Sequence, residues 1–207
     1  MVAAQDKARA YQQKRYRSLD QAWVNWREQR LLARLLAKHR LDQSLVLDVP
    51  CGYGRFTPLF CRLGITAIGA DVDAAMVHLA ADNHRLCCPG HWVQASVFAL
   101  PFADNTFDGV VCVRLLHHRY SDAERQRILG ELARVTRRVV IFTFYRFTPL
   151  HASTRRWRGG RVRHGMLTLA RLRALVQASG LQLCGMYTLL RFIHAQTFVV
   201  LQKDPVT

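Results

Sequence analysis

Apolar positions along this chain change period at regular intervals, and each change marks a predicted element. From residue 20 to residue 38, Trp23, Trp26, Leu31 and Leu35 recur at helical spacing with arginines between them, which predicts an amphipathic helix. Ahead of it, Tyr11, Arg15 and Tyr16 lie on a shorter helical or irregular arm. Residues 44–49 form a short apolar run reaching Asp48. The turn-rich Pro50-Cys51-Gly52-Tyr53-Gly54 follows, and a helical pattern then resumes through Leu63. Strand, glycine loop and helix therefore come in that order.

The unit then repeats. Residues 67–70 are strand-like and close on Asp71, and residues 73–86 form a helix with Asp73 as its N-cap. A third strand is predicted over 91–95. Residues 101–106 make a turn before the strongly apolar run 109–113, which suits a central parallel strand covered by helices on both faces. Residues 122–135 are helical and 138–144 form the next strand. The stretch 145–165 carries few periodic signals and many arginines, so it reads as a loop or cap insertion. Thr168 caps a helix running to residue 178, with Gly180 as its stop. Two strand-like runs follow, 181–190 and 195–201, separated by so few residues that they must pair antiparallel, because a parallel crossover needs a dozen or more.

At 207 residues the chain holds one sizeable core, and a second independent domain would leave both too small. We expect an arm over residues 1–43 covering the substrate side of a domain over 44–207. No apolar run is long enough to cross a bilayer and the basic N-terminus lacks the apolar stretch of a signal peptide, so the expected compartment is the cytoplasm. The six cysteines have no zinc-ligand spacing and read as small hydrophobes; the nine histidines show no metal motif, so no metal is expected.

The net charge of +16 is unevenly placed. Residues 1–40 carry ten basic and three acidic side chains, and residues 134–173 carry eleven basic and none acidic, whereas 45–133 carry seven basic and nine acidic. An electropositive rim flanking the middle suits an anionic partner; a well solvated basic surface fits the same counts.

Three motifs in order carry a family resemblance: Val46-Leu-Asp-Val-Pro-Cys-Gly-Tyr-Gly54, Gly69-Ala-Asp-Val-Asp73 and Ala99-Leu-Pro-Phe-Ala-Asp-Asn-Thr-Phe-Asp-Gly-Val-Val111. Together they resemble the class I S-adenosylmethionine-dependent methyltransferases, in particular the small UbiE-like branch (Methyltransferase type 11), over residues 40–201. The resemblance implies an α/β, Rossmann-like fold: a mostly parallel central sheet with a terminal antiparallel hairpin and helices on both faces. It also implies S-adenosyl-L-methionine as cofactor. A dinucleotide fingerprint would need a third glycine where Thr57 stands, which disfavours a pyrophosphate ligand.

In such a sheet the ligand lies across the carboxyl ends of the strands, so residues just after each strand matter most. Gly52 and Gly54 permit a tight turn and close approach to a ligand. By the resemblance, Asp48 lies near the methionine end and helps orient the amino group; it could instead tie down loop amides. Asp71 is placed to accept from both ribose hydroxyls. Val72 lines one adenine face or is a core valine, and Asp73 caps its helix. Ser96 departs from the family pattern, standing where an acid usually meets the adenine amino group; Ser96 and Val97 share that contact. Backbone carbonyls of Arg114 or Leu115 suit the cofactor ammonium. His117 or His118 is a candidate base, or a packing residue.

Methyl transfer from a sulfonium is direct displacement, so alignment and desolvation dominate and a base is needed only for a protonated acceptor. Arg114 to His118 stand where an adenine or glutamine N-methyltransferase carries its Pro-Pro motif. No cysteine is placed as a C5-cytosine nucleophile and no lysine falls in the core. These absences disfavour three subclasses. The expected acceptor is an anionic small molecule, lipid or glycan, held by an aromatic wall including Tyr11, Tyr16 and Trp23 and by Arg146, Arg155, Arg156 and Arg158. Transient membrane-surface contact with a lipid-linked acceptor suits the same features, placing the protein at the membrane periphery. RNA methylation, or a non-catalytic protein that binds the cofactor, are the alternatives.

Overall fold

The alternation of strand and helix patterns after residue 44 lays down a seven-stranded sheet with spatial order β3-β2-β1-β4-β5-β7-β6. The structure, a computed structural model, describes residues 6, 8–10, 18–86, 88, 90–147, 165–190 and 194–203. In chain order the elements are α1 (Leu19–Lys38), β1 (Leu45–Asp48), α2 (Thr57–Arg62), β2 (Thr66–Asp71), α3 (Ala74–His84) and β3 (His91–Gln94). They continue with β4 (Phe107–Cys112), α4 (Asp122–Val135), β5 (Thr136–Tyr145), α5 (Leu169–Gln177), β6 (Leu181–Leu190) and β7 (His194–Lys203).

Strands β1 to β5 are parallel, with Leu47 opposite Ile68 on one side and Val110 on the other. The last strand, β7, runs antiparallel between β5 and β6, pairing Phe142 with Val199 and Tyr187 with Phe198. The short 190–194 connection therefore makes the antiparallel pair its length demands. Reversal in β7 leaves β6 pointing the same way as β5, so β1, β2, β4, β5 and β6 all end on one edge.

Both faces of the central strands are covered. Leu47, Val110, Phe142 and Val199 pack against Ile128, Leu129 and Leu132 of α4 and Leu172 and Val176 of α5. On the opposite face Val46, Val111, Ile141 and Phe198 pack against Leu32, Leu35 and Leu36 of α1 and Phe60 of α2. Leu45 to Asp48 and Phe107 to Cys112 show almost no alternation of burial because neither face meets water.

The helix boundaries follow their caps. Asp73 accepts from the Ala75 amide at 2.9 Å and Thr168 from Arg171, as their positions predict. Ser121 and Glu124 form a reciprocal capping box at the start of α4. Three readings change. The helix expected through Leu63 is only the six-residue α2, because Gly54 to Phe56 are still turning. Cys61 and Cys184 are exposed, while Cys51 and Cys112 are the small buried hydrophobes expected. The arginine-rich stretch is not irregular at its start: the Phe147 amide donates to the carbonyl of Leu167, just past the stretch, and the Leu167 amide to the Tyr145 carbonyl, at 2.9 and 3.0 Å. Residues 148–164 lie outside the described residues.

One glycine is fixed by packing. A Cβ on Gly69 would stand 2.4 Å from Trp92, whose ring lies across β2 and stacks on His84 at 6.0 Å. Gly69→Ala is expected to lower stability by about 1 to 3 kcal/mol through overpacking, read as a fall in the urea midpoint at unchanged slope.

Candidate cofactor and acceptor site

The site forms where β1, β2 and β4 end. Asp48 is the last residue of β1, opposite Gly69 and Val111, and only 3% exposed. Its Oδ1 has no hydrogen-bond partner among the described residues. Burial lifts its pKa to about 8; the Arg55 guanidinium pulls it down and the Asp71 carboxylate pushes it up. The loop-tying role belongs to Asp71 instead. Its two oxygens accept from the Gly52 amide at 2.9 Å and the Asp73 amide at 3.0 Å, anchoring the glycine loop to the end of β2. Burial raises the Asp71 pKa against the pull of those two amides. A carboxylate has about four acceptor positions, so two amides leave room for further donors.

The two loop glycines serve different ends. Gly52 has φ +55° and open space where a Cβ would point, as a ligand-facing turn requires. The space beside Gly54 is filled by the His84 ring at 2.7 Å, so packing and not ligand approach excludes a side chain there. Val72 is 67% exposed, which removes the core-valine reading and leaves an apolar surface beside Asp71. Ser96 is half-buried and its hydroxyl accepts from the Phe98 amide at 3.3 Å, while Val97 is buried.

Beyond β4, Arg114 adopts φ +65°, donates its amide to Thr143 and its guanidinium to Glu28 of α1, at 2.8 and 2.9 Å. His117 and His118 have ring centroids 4.3 Å apart, and the edge of Tyr145 meets His117 at 5.1 Å. Gly165, with φ +104°, passes so close that a Cβ would lie 2.2 Å from the His117 carbonyl oxygen. The arginine-rich stretch therefore ends against the two histidines. Trp23 is exposed on α1 with the Arg27 guanidinium over its ring, and Arg146 is exposed just after β5. Tyr11, Tyr16, Arg155, Arg156 and Arg158 lie outside the described residues.

Sequence reasoning missed Glu28. It is fully buried and accepts from Arg55, Arg114 and Gln196, tying α1 to the segment after the glycine loop, the end of β4 and β7. Burial opposes its charge, but Arg55 and Arg114 outweigh that and hold the carboxyl below its usual range. The available signal was an acid on the apolar stripe, one helical turn after Val24 and one before Leu32. Farther out, Ala8 packs on Ala75 and Leu79 with Tyr53 beside it, which brings the arm against the loop.

Residues 46–138 match the model of a family described as a methyltransferase domain. A protein of Encephalitozoon cuniculi named as a methyltransferase is 34% identical over 103 residues, covering 49% of this chain and 44% of that one. A Bos taurus protein named "Probable tRNA methyltransferase 9B" is 29% identical over 92 residues, covering 44% of this chain and 19% of that one. The chain thus matches less than half the length of these relatives. Magnesium protoporphyrin IX methyltransferase of Synechocystis PCC 6803, solved with bound SAH, superposes with a TM-score of 0.73 at 20% identity, covering 90% of this chain and 88% of that one. The fold is that of the class I methyltransferases. Within it, the match to the methyltransferase-domain family covers residues 46–138, less than half of the chain.

Proposed function

We propose that this protein is an S-adenosylmethionine-dependent methyltransferase acting on an anionic small-molecule, lipid or glycan acceptor. The observation that carries the reading is the buried Asp48, whose Oδ1 has no partner among the described residues and which ends the strand leading into the open turn at Gly52. A buried carboxyl kept near neutral by desolvation is a receptor for a cation, and the cofactor carries an ammonium and a sulfonium. Asp71 supplies the ribose acceptor, Val72 one face of the adenine, and Ser96 with Val97 its edge. When bound, the cofactor supplies an activated methyl group for direct displacement. The protein's residues orient it, exclude water and, through His117 or His118, take a proton from the acceptor. Trp23 and Arg146 contact the acceptor, which is open to lipid-linked molecules reached by transient membrane contact. Within the class we propose the UbiE-like branch, on the three motifs of 46–54, 69–73 and 99–111. RNA methylation is the second reading, favoured by the relative named for tRNA.

Calorimetry with S-adenosylmethionine and its demethylated product tests the reading through Asp48. With a pKa of about 8 the free protein holds this carboxyl mostly protonated at pH 7. A cation arriving beside it lowers that pKa, so binding is expected to release close to one proton, visible as a dependence of the apparent enthalpy on buffer ionisation. Affinity should rise by up to about tenfold per pH unit between about pH 6 and 7. Asp48→Asn should bind weakly with no proton release. Absence of binding by either molecule at about millimolar concentration, far weaker than ordinary cofactor affinity, would overturn the cofactor assignment.

A further inference from the structure

Helix α1 has two charged sides, and only one is neutralised. Glu28 meets Arg55 and Arg114 beside the glycine loop. Its neighbour Arg27 turns to the other side, donating to the Leu189 carbonyl of β6 at 3.2 Å and opening onto a cleft between α1 and the end of β6. That cleft has a volume of about 520 Å³ and is lined by Arg27, Arg30, Arg34, Arg146, Tyr187 and Thr188.

The arrangement follows from helical spacing. Residues 27, 30, 34 and 38 succeed one another at steps of three and four, so they share one stripe of α1. Lys38 closes the stripe, bonded at 2.9 Å to the Tyr187 hydroxyl. Arg146 joins from the end of β5, which finishes on the same sheet edge as β6. Several arginines elsewhere meet acids: Arg125 and Arg171 take Asp122, Arg134 takes Glu131 and Asp104, and Arg137 takes Asp108. None of the four arginines of the cleft has a carboxylate partner among the described residues, and no acidic side chain lines it.

Four guanidiniums around one concavity repel one another unless an anion sits among them, and their planar forks match a phosphate in a bidentate way. A volume of this size holds a small-molecule group. We infer that the α1–β6 cleft is a binding site for a phosphate or diphosphate group of the methyl acceptor. The inference rests on the methyltransferase reading for its placing of an acceptor at this edge, and it names the anion and the side chains that hold it. Arg146 directly follows Tyr145, whose ring meets His117 at 5.1 Å, so the end of β5 joins the cleft to the two histidines. Thr188 adds a hydroxyl donor to the lining.

The test is calorimetry of inorganic pyrophosphate against the full chain saturated with S-adenosylhomocysteine, at low salt. The variants are Arg30→Gln/Arg34→Gln and the control Arg62→Gln/Arg85→Gln, which removes the same charge from exposed positions away from the cleft. Pyrophosphate is expected to bind the wild type and the control alike and the cleft variant at least about tenfold more weakly, with S-adenosylhomocysteine affinity unchanged in all three. Equal weakening in both variants would reduce the effect to net charge and overturn the site. So would S-adenosylhomocysteine binding without pyrophosphate binding, which leaves the methyltransferase reading intact. Pyrophosphate binding that is lost only in the cleft variant, with no S-adenosylhomocysteine binding by any protein, would keep the anion site and sink the methyltransferase reading. In a further arm, a short RNA that binds wild type and cleft variant equally, with no pyrophosphate binding, would replace the pocket by an extended nucleic-acid surface.

Discussion

Replacing Glu28 by alanine is expected to destabilise the protein by about 3 kcal/mol, measured by urea denaturation, because it leaves two largely but not fully buried guanidiniums without their shared counter-ion. The Arg55 and Arg114 side chains are 11% and 16% exposed and Glu28 is fully buried, so solvent replaces little of what is lost. Gln196 loses its acceptor as well. Glu28→Gln keeps the size and one acceptor oxygen, and should cost less. The pH dependence has a definite sign. The folded state holds this carboxyl below its usual 4.5, so its contribution is complete above that value and is lost as pH falls. In Glu28→Ala that part of the acid-side loss disappears. A variant as stable as wild type would mean that the cluster's desolvation cost cancels its attraction.

The second large effect is on ligand affinity. Asp71→Ala is expected to weaken S-adenosylhomocysteine binding at least a hundredfold by calorimetry. Two proposed ribose contacts to a charged acceptor, at about 1.5 kcal/mol each, amount to about 3 kcal/mol. The same change frees the Gly52 and Asp73 amides, so the glycine loop loses its tie to β2. A retained thermal transition separates the lost ligand contact from unfolding. Affinity within about threefold of wild type, a difference of only about 0.7 kcal/mol, would remove Asp71 from the ribose site.

Much of the architecture was legible because the information is local. The helix over 122–135 and the strand over 181–190 coincide with α4 and β6, where a capping residue or a glycine stop fixes the boundary. The antiparallel hairpin followed from a connection too short for anything else. What stayed hidden is long-range. Nothing near residue 28 announces that it will meet residues 55, 114 and 196, since partners that far apart leave no periodic trace. The His84 ring beside Gly54 is the same kind of fact: loop and helix residue are joined only by the fold. Asp71 as the loop's anchor lies between the two cases, because the pattern placed it at the strand end but not its hydrogen bonds.

The sharing of one apolar face by α1 and the last strands bears on how the chain is made. Leu32, Leu35 and Leu36 pack with Leu189, Phe198 and Val200, so the helix made early waits for a hairpin translated about 150 residues later. During that interval its leucine stripe has no complete surface to cover it, and its buried acid lacks the β7 glutamine. A nascent chain stalled before residue 181 would present an amphipathic, arginine-rich helix to whatever acidic or apolar surface lies near the ribosome exit. Biosynthetic yield of this protein should therefore depend on chaperone supply more steeply than its finished stability would indicate.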